Sequence, residues 1–171
     1  MNAGRFTVRE ARREDAEALS RSLRAADLNE ILASTPETPC EVLERGVATS
    51  RPCYGVVDAL DRPVALFGVV PDGCNSGLIW LLGSDELALA RVSMFRRGLA
   101  LIDDLQRAYP VLHNGVDVRN AQHLDWLLWC GFRVVGSNDH YGVEGRHFLQ
   151  VRRERSPGAS LAKGHVLENV S

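Results

Sequence analysis

Five side chains in the second half of this chain are the candidates for taking up or delivering a proton: Asp117, His123, His140, Tyr141 and Glu144. Carboxylates, imidazoles and phenols are the groups of general acid and base chemistry. Each also has an ordinary structural reading. His123 stands in the apolar run from Asn120 to Cys130, where a histidine is commonly a hydrogen-bonded core residue. His140, Tyr141 and Glu144 stand in the polar stretch Ser137 to Arg146, whose composition suits a plain hairpin. Cys40, Cys53, Cys74 and Cys130 are scattered, without C-x-x-C or paired-histidine spacing. No metal site is expected from them, and buried free thiols are the better reading.

These residues must be positioned by regular elements. Phe6-Thr-Val8 alternates as a short strand. From Glu14 to about Ala33, Ala16, Leu19, Leu23, Leu28 and Ile31 recur at near-helical spacing, and a second helix covers about Cys40 to Ala48. Tyr54–Val57 and Val64–Val70 read as strands around a turn at Asp61-Arg-Pro63, and Leu78–Leu82 as a central strand. A long helix follows over about Asp85 to Ala108, with Val92, Phe95, Leu99, Ile102, Leu105 and Tyr109 on one stripe and Pro110 ending it.

After the strand His113–Val118 comes the helix opened by Asn120, whose side chain can cap it, and closed by Gly131 in a left-handed conformation. Arg133-Val-Val135 reads as a buried strand and His147–Val151 as the last one. Residues 1–152 form one domain in this reading, and 153–171 a flexible tail.

Composition narrows the class. A hydrophobic share of 45%, a charged share of 25% and a net charge of -2 describe an ordinary globular chain, with no strong nucleic-acid signal. No stretch approaches the roughly 20 apolar residues of a membrane helix, and no signal peptide is visible behind Met1. Action inside a cell, or inside something assembled there, is expected.

The run from Asn120 to Phe132, a polar cap, an apolar helix, Gly-Phe and a strand, resembles the last helix of the GCN5-related N-acetyltransferase (GNAT) superfamily. The element order is similar to that family's. The resemblance implies an α/β (α+β) fold, with a mixed, mostly antiparallel sheet of six to seven strands and about four helices. It also implies acetyl-CoA as cofactor, held by backbone amides of a glycine-rich loop at a helix start.

The matching segment here is Gly83-Ser-Asp-Glu-Leu-Ala-Leu-Ala-Arg91, which has no second glycine and sets Asp85 and Glu86 where phosphates would lie. Such carboxylates stabilise a helix start by roughly 0.3–1 kcal/mol each and repel an anion there. Gly83, Ser84, Arg91 and Asn120 are the cofactor-binding candidates, and Arg96 and Arg97 fit a solvated helix face. Where many family members carry a tyrosine that protonates the departing thiolate, this chain has Leu127, and where they often carry alanine it has His123. On the same resemblance, Asp117, His140, Tyr141 and Glu144 gather near the acceptor end of the sheet.

The stretch Leu78 to Val151 resembles, more narrowly, the small internal virion proteins of short-tailed, T7-like bacteriophages. The similar features are Ile79-Trp-Leu-Leu-Gly-Ser-Asp85, the basic Met94-Phe-Arg-Arg97, Leu105-Gln-Arg-Ala-Tyr-Pro110, and the helix with Asn120 and His123-Leu124. This resemblance implies a non-catalytic protein of virion structure, assembly or DNA ejection, located in the virion or the host cytoplasm. No cofactor is expected on this reading. Its partners would be other virion proteins met through surfaces such as Trp126 and Trp129, and it admits an oligomer. The alternative is an acetyl-CoA-dependent N-acetyltransferase with a divergent phosphate loop, in which amides near Ser84–Leu87 bind phosphate and Asp117 or His140 acts as base through water.

Overall fold

The chain is described here by a computed structural model over residues 6–155, with only the backbone described over 89–97. The 153–171 tail of the sequence reading falls largely outside the described residues. In chain order the elements are β1 (Thr7–Glu10), α1 (Arg13–Ser20), α2 (Ala25–Ser34), α3 (Pro39–Thr49), β2 (Cys53–Val57), β3 (Pro63–Pro71), β4 (Ser76–Gly83), α4 (Leu87–Ala108), β5 (Val111–Asp117), α5 (Ala121–Trp129), β6 (Arg133–Tyr141) and β7 (Arg146–Glu154). One seven-stranded sheet runs β1-β2-β3-β4-β5-β7-β6, antiparallel at every pairing except the parallel β4–β5 pair.

The pleat sorts the side chains into two cores. On one face Leu66 packs with Ala16 and Leu19 of α1 and Leu43 of α3, and Trp80 and Leu82 lie against this group. On the other, Val69 and Ile79 pack with Ile102 and Leu105 of α4 and Leu127 of α5. The Ile102–Leu105 part of the expected α4 stripe is therefore core; its Val92 and Phe95 fall among the side chains not described.

Three sequence expectations are corrected. The single helix over 14–33 is two. Its break holds Leu23, bridged to Ser84, and Arg24, whose N–H donates to the Gly83 carbonyl at 2.9 Å, so tertiary bonds draw the backbone off the helical ladder. The strand at Val134–Val135 is not buried: β6 is the sheet edge, no helix covers it there, and the two valines are 47% and 62% exposed. The polar stretch from Ser137 is mostly strand, because an exposed edge accepts polar residues; Ser137 pairs with Leu149 and Asn138 with Phe148. Gly131 ends α5 at φ +88, as its position demands, and Phe132 behind it is buried.

β4 and β5 touch over three residue pairs only, Ser76 with Val111, Gly77 with Leu112 and Leu78 with His113. Beyond them β4 continues on β3 and β5 on β7, and the two diverge. The wedge between them is where the sheet opens.

Candidate active site in the β4–β5 wedge

Helix α2 bridges the wedge with two carboxylates. Asp27, buried, accepts from the Gly83 N–H of β4 at 2.9 Å, from the Asn120 side-chain amide at 3.1 Å, and from Arg24 at 2.7 and 2.8 Å. Glu30, one turn on, accepts at Oε2 from Asn120 Nδ2 at 3.0 Å and from the Asp117 N–H at 3.3 Å. Among the described residues no hydrogen bond ends on Glu30 Oε1. Burial pushes the Glu30 carboxyl up to about 7; the Asn120 bond opposes this and the neighbouring Asp27 charge adds to it.

Glu30 lines a cavity of about 220 Å³ that reaches the wedge, with Leu78, Trp80, Tyr141, Phe148 and His123 also on its wall. Its outer side is closed by the β6–β7 turn. There Gly142 has φ +69, and a Cβ on it would fall 2.2 Å from the Ala33 carbonyl; the Glu144 N–H donates to that same oxygen at 3.2 Å. A glycine is required for so close a docking onto α2.

Gly83 directs its N–H and C=O into the wedge, to Asp27 and Arg24. Alternation along the strand turns the N–H and C=O of Leu81 to the same side, beyond the last rung to β5 at Leu78 and His113. Opposite them stands His123, buried, whose Nδ1 has no hydrogen-bond partner among the described residues. Burial pushes its pKa down to about 4, against the pull of Asp27, so the ring is neutral at pH 7. His123 also lines a narrow apolar space beneath α4 and α5, with Ile79, Leu81, Ile102 and Trp126. It thus stands between the two faces of the sheet.

The other expected site residues are placed as follows. Asp117 is held by Arg119, with contacts of 2.5 to 3.1 Å, and takes the Arg119 N–H as well. Burial would raise its pKa, but these bonds hold the carboxyl below the usual range, which makes it a poor base. His140 is exposed on β6 and does not line the cavity, whereas Tyr141 does. The Glu144 carboxylate pairs with Arg146 at 2.9 Å.

Asn120 does not cap α5 through its side chain: two carboxylates need its amide hydrogens, and its buried Oδ1 has no partner among the described residues. The Ser84 N–H and hydroxyl both go to the Val64 carbonyl, at 2.9 and 3.2 Å. Arg91, Arg96 and Arg97 lie outside the described side chains. Trp126 packs against the core while Trp129 is 50% exposed.

Asp27 and Glu30 escaped the sequence reading. Their signal was present: two carboxylates three apart, with Asp27 four before Ile31 on the apolar side of a helix.

The wedge fits the acyl end of a thioester cofactor on two observations. One is the Leu81 edge of β4, without a strand partner on that side; the other is the His123 Nδ1 beside it, which has no hydrogen-bond partner among the described residues. At the start of α4 the Leu87 and Ala88 N–H groups are taken by Ser84 and Asp85 carbonyls, and the Leu23–Ser84 bridge engages Asp85, leaving the Glu86 amide for a phosphate. The Asp85 and Glu86 side chains are exposed, so water and salt screen their repulsion.

No protein-family model matches the sequence, and no curated protein does either. Solved structures do. An acetyltransferase (GNAT family) from Bacillus anthracis matches at TM-score 0.65 and 13% identity, over 90% of this chain and 97% of that one. The ribosomal-protein-S5-alanine acetyltransferase from Vibrio fischeri matches at 0.63 and 15%, over 92% and 97%. The spermidine N-acetyltransferase from Vibrio cholerae, in complex with CoA and spermine, matches at 0.64 and 15%, over 88% and 96%.

At such identities the likeness establishes the GNAT fold. It also overturns the expectation of a non-catalytic virion protein. These neighbours are acetyltransferases, none of them is a virion or ejection protein, and the leaning against an enzyme and against a cofactor goes with it. Among the described residues no helix is long and apolar enough to cross a membrane.

Proposed function

We propose that this chain, which folds as the GCN5-related N-acetyltransferases do, transfers an acetyl group from acetyl-coenzyme A to an amine. The observation that carries the reading is the Glu30 carboxylate on the wall of a cavity that opens into the β4–β5 wedge. With its pKa raised to about 7, Glu30 is part protonated and part ionised near neutral pH, as a base for an ammonium should be. Asn120 and the Asp117 N–H hold its Oε2 and leave Oε1 to take the proton.

Acetyl-coenzyme A, when bound, would supply an activated acyl group. Toward that group the chain offers the Leu81 N–H, a fixed donor for negative charge developing on an acyl oxygen. Toward the phosphates it offers the Glu86 amide at the start of α4. Leu127 has no proton to give, and His123, one turn earlier on α5, brings a ring N–H to the wedge. Asp27 orients rather than reacts: its bonds to Gly83 and Asn120 tie α2 to β4 and α5 and so set where Glu30 stands. That the named structural neighbours are acetyltransferases supports the same reading.

A thermal-shift titration with acetyl-CoA, backed by calorimetry, tests it. A ligand at about 100 times its dissociation constant adds roughly 2.7 kcal/mol, worth several degrees at this size. A saturable shift is expected, and a flat response at millimolar acetyl-CoA would remove the reading.

A further inference from the structure

We infer that the acceptor is a compact, singly charged primary amine with an apolar or aromatic body, its ammonium set against Glu30 and its body against Trp80, Tyr141 and Phe148. This inference rests on the transfer reading above and names its acceptor class.

The cavity wall carries little charge. Among the described residues that line it, Glu30 is the one carboxylate and Arg45 the one guanidinium. Arg45 is engaged with Glu37 at 3.0 and 2.7 Å through Nε and Nη2, so its charge is already paired. Asp27, the nearest other acid, is turned away into its bonds with Arg24, Gly83 and Asn120 and does not line the space. A polyamine would therefore bring more ammonium groups than the wall can pair, one of them toward Arg45. An amino acid would bring a carboxylate to a wall whose one guanidinium is already paired with Glu37. Buried charges left unpaired reject a ligand more strongly than a missing methylene does.

The apolar part of the wall is rigid. The Trp80 indole N–H donates to Ser50 Oγ at 2.8 Å, and its ring lies where a Cβ on Gly46 of α3 would come within 2.8 Å of it. Tyr141 and Phe148 pack ring on ring at 4.4 Å. Leu78, Ile31 and Val42 complete the surface. Fixed aromatic faces favour a flat or aliphatic body and also attract an ammonium.

The test compares 2-phenylethylamine, spermidine and phenylalanine by calorimetry on the full chain at pH 8, with acetyl-CoA titrated into parallel samples. Phenylalanine is the same body with one added carboxylate, and spermidine the same ammonium with added charges. Phenylethylamine is expected to bind at least about tenfold more tightly than either and to be acetylated with the same preference. Glu30→Gln should lose that amine affinity about tenfold while the acetyl-CoA response persists. Ser34→Asp, which adds an acid to the wall, should move the preference toward spermidine.

Equal or tighter binding of spermidine or phenylalanine would overturn the acceptor class, as would no amine binding at all. Amine binding without any acetyl-CoA response would remove the transfer reading, and the acceptor with it.

Discussion

Asn120 Nδ2 lies 3.0 Å from Glu30 Oε2, joining the residue that opens α5 to the middle of α2 across the wedge. The same amide reaches Asp27 at 3.1 Å, so one neutral side chain separates two carboxylates. Asn120→Leu leaves both acids short of a donor. A loss of about 1–3 kcal/mol is expected, read as a lower urea midpoint. Because the Asn120 bond opposes the upward pKa shift of Glu30, the midpoint of the pH–rate profile should also move up. An unmoved midpoint would detach Asn120 from the base.

Glu30→Gln keeps the volume and an oxygen that can still accept from Asn120, but it cannot take a proton. A fall in kcat of about 10²–10⁴ is expected, with loss of the rise in rate through pH about 7 seen in the parent. Stability should move the other way. The parent's folded carboxyl titrates near 7 instead of the ordinary 4.5, so its folded state weakens as pH rises through that window. At pH 8 the variant should be at least as stable as the parent, which separates lost chemistry from lost folding.

His123 has the opposite linkage. Its folded pKa of about 4 lies below the ordinary 6.5, so under pH 6.5 the unfolded chain binds a proton that the folded chain refuses. Stability should fall from pH 6.5 toward 4 at a slope approaching about 1.4 kcal/mol per unit from this group. Over pH 5 to 7 this slope opposes that of Glu30, so His123→Leu should raise the urea midpoint at pH 5 relative to that at pH 7, compared with the parent. Equal pH sensitivity in parent and variant would mean the ring is charged or exposed after all.

Arg24→Ala should be among the costliest polar substitutions. Asp27 is 1% exposed, and Arg24 is its cation, at 2.7 Å. Stranding a buried carboxylate costs about 3–5 kcal/mol. Circular-dichroism melts should show a drop of many degrees, and Arg24→Ala with Asp27→Asn should recover part of it.

The elements with strong periodicity were legible in the residues. The Leu78–Leu82 strand, the helix ended by Pro110 and the Gly131 stop all stand where their patterns put them. The helix break at Arg21–Arg24 was not legible, because no glycine or proline marks it; it exists for a bond to Gly83 across the fold. The edge position of Val134 and Val135 was hidden for the same reason. Two valines read as buried unless the strand order, which β7 decides by inserting beside β5, is known.

The site was only half visible. His123 was found by its oddity on an apolar helix, and Tyr141 by its type. Glu30 was passed over, since a carboxylate on a helix reads as solvated until the opposite wall is known. Asp117, attractive by type, is neutralised by a residue two places on, a local bond that spacing alone does not reveal.

The three rungs between β4 and β5 make the sheet two plates on a short hinge, one of β1–β4 and one of β5–β7. At the hinge the plates are held by backbone; at the far end they are latched by the side chains of a single helix, through Asp27 and Glu30. The width of the aperture is thus set by side-chain length rather than by strand pairing. Shortening a carboxylate of α2 would narrow or loosen it without disturbing a single strand, and lengthening one would wedge it wider. Selectivity in this fold can therefore drift through substitutions in α2 while the sheet beneath stays the same.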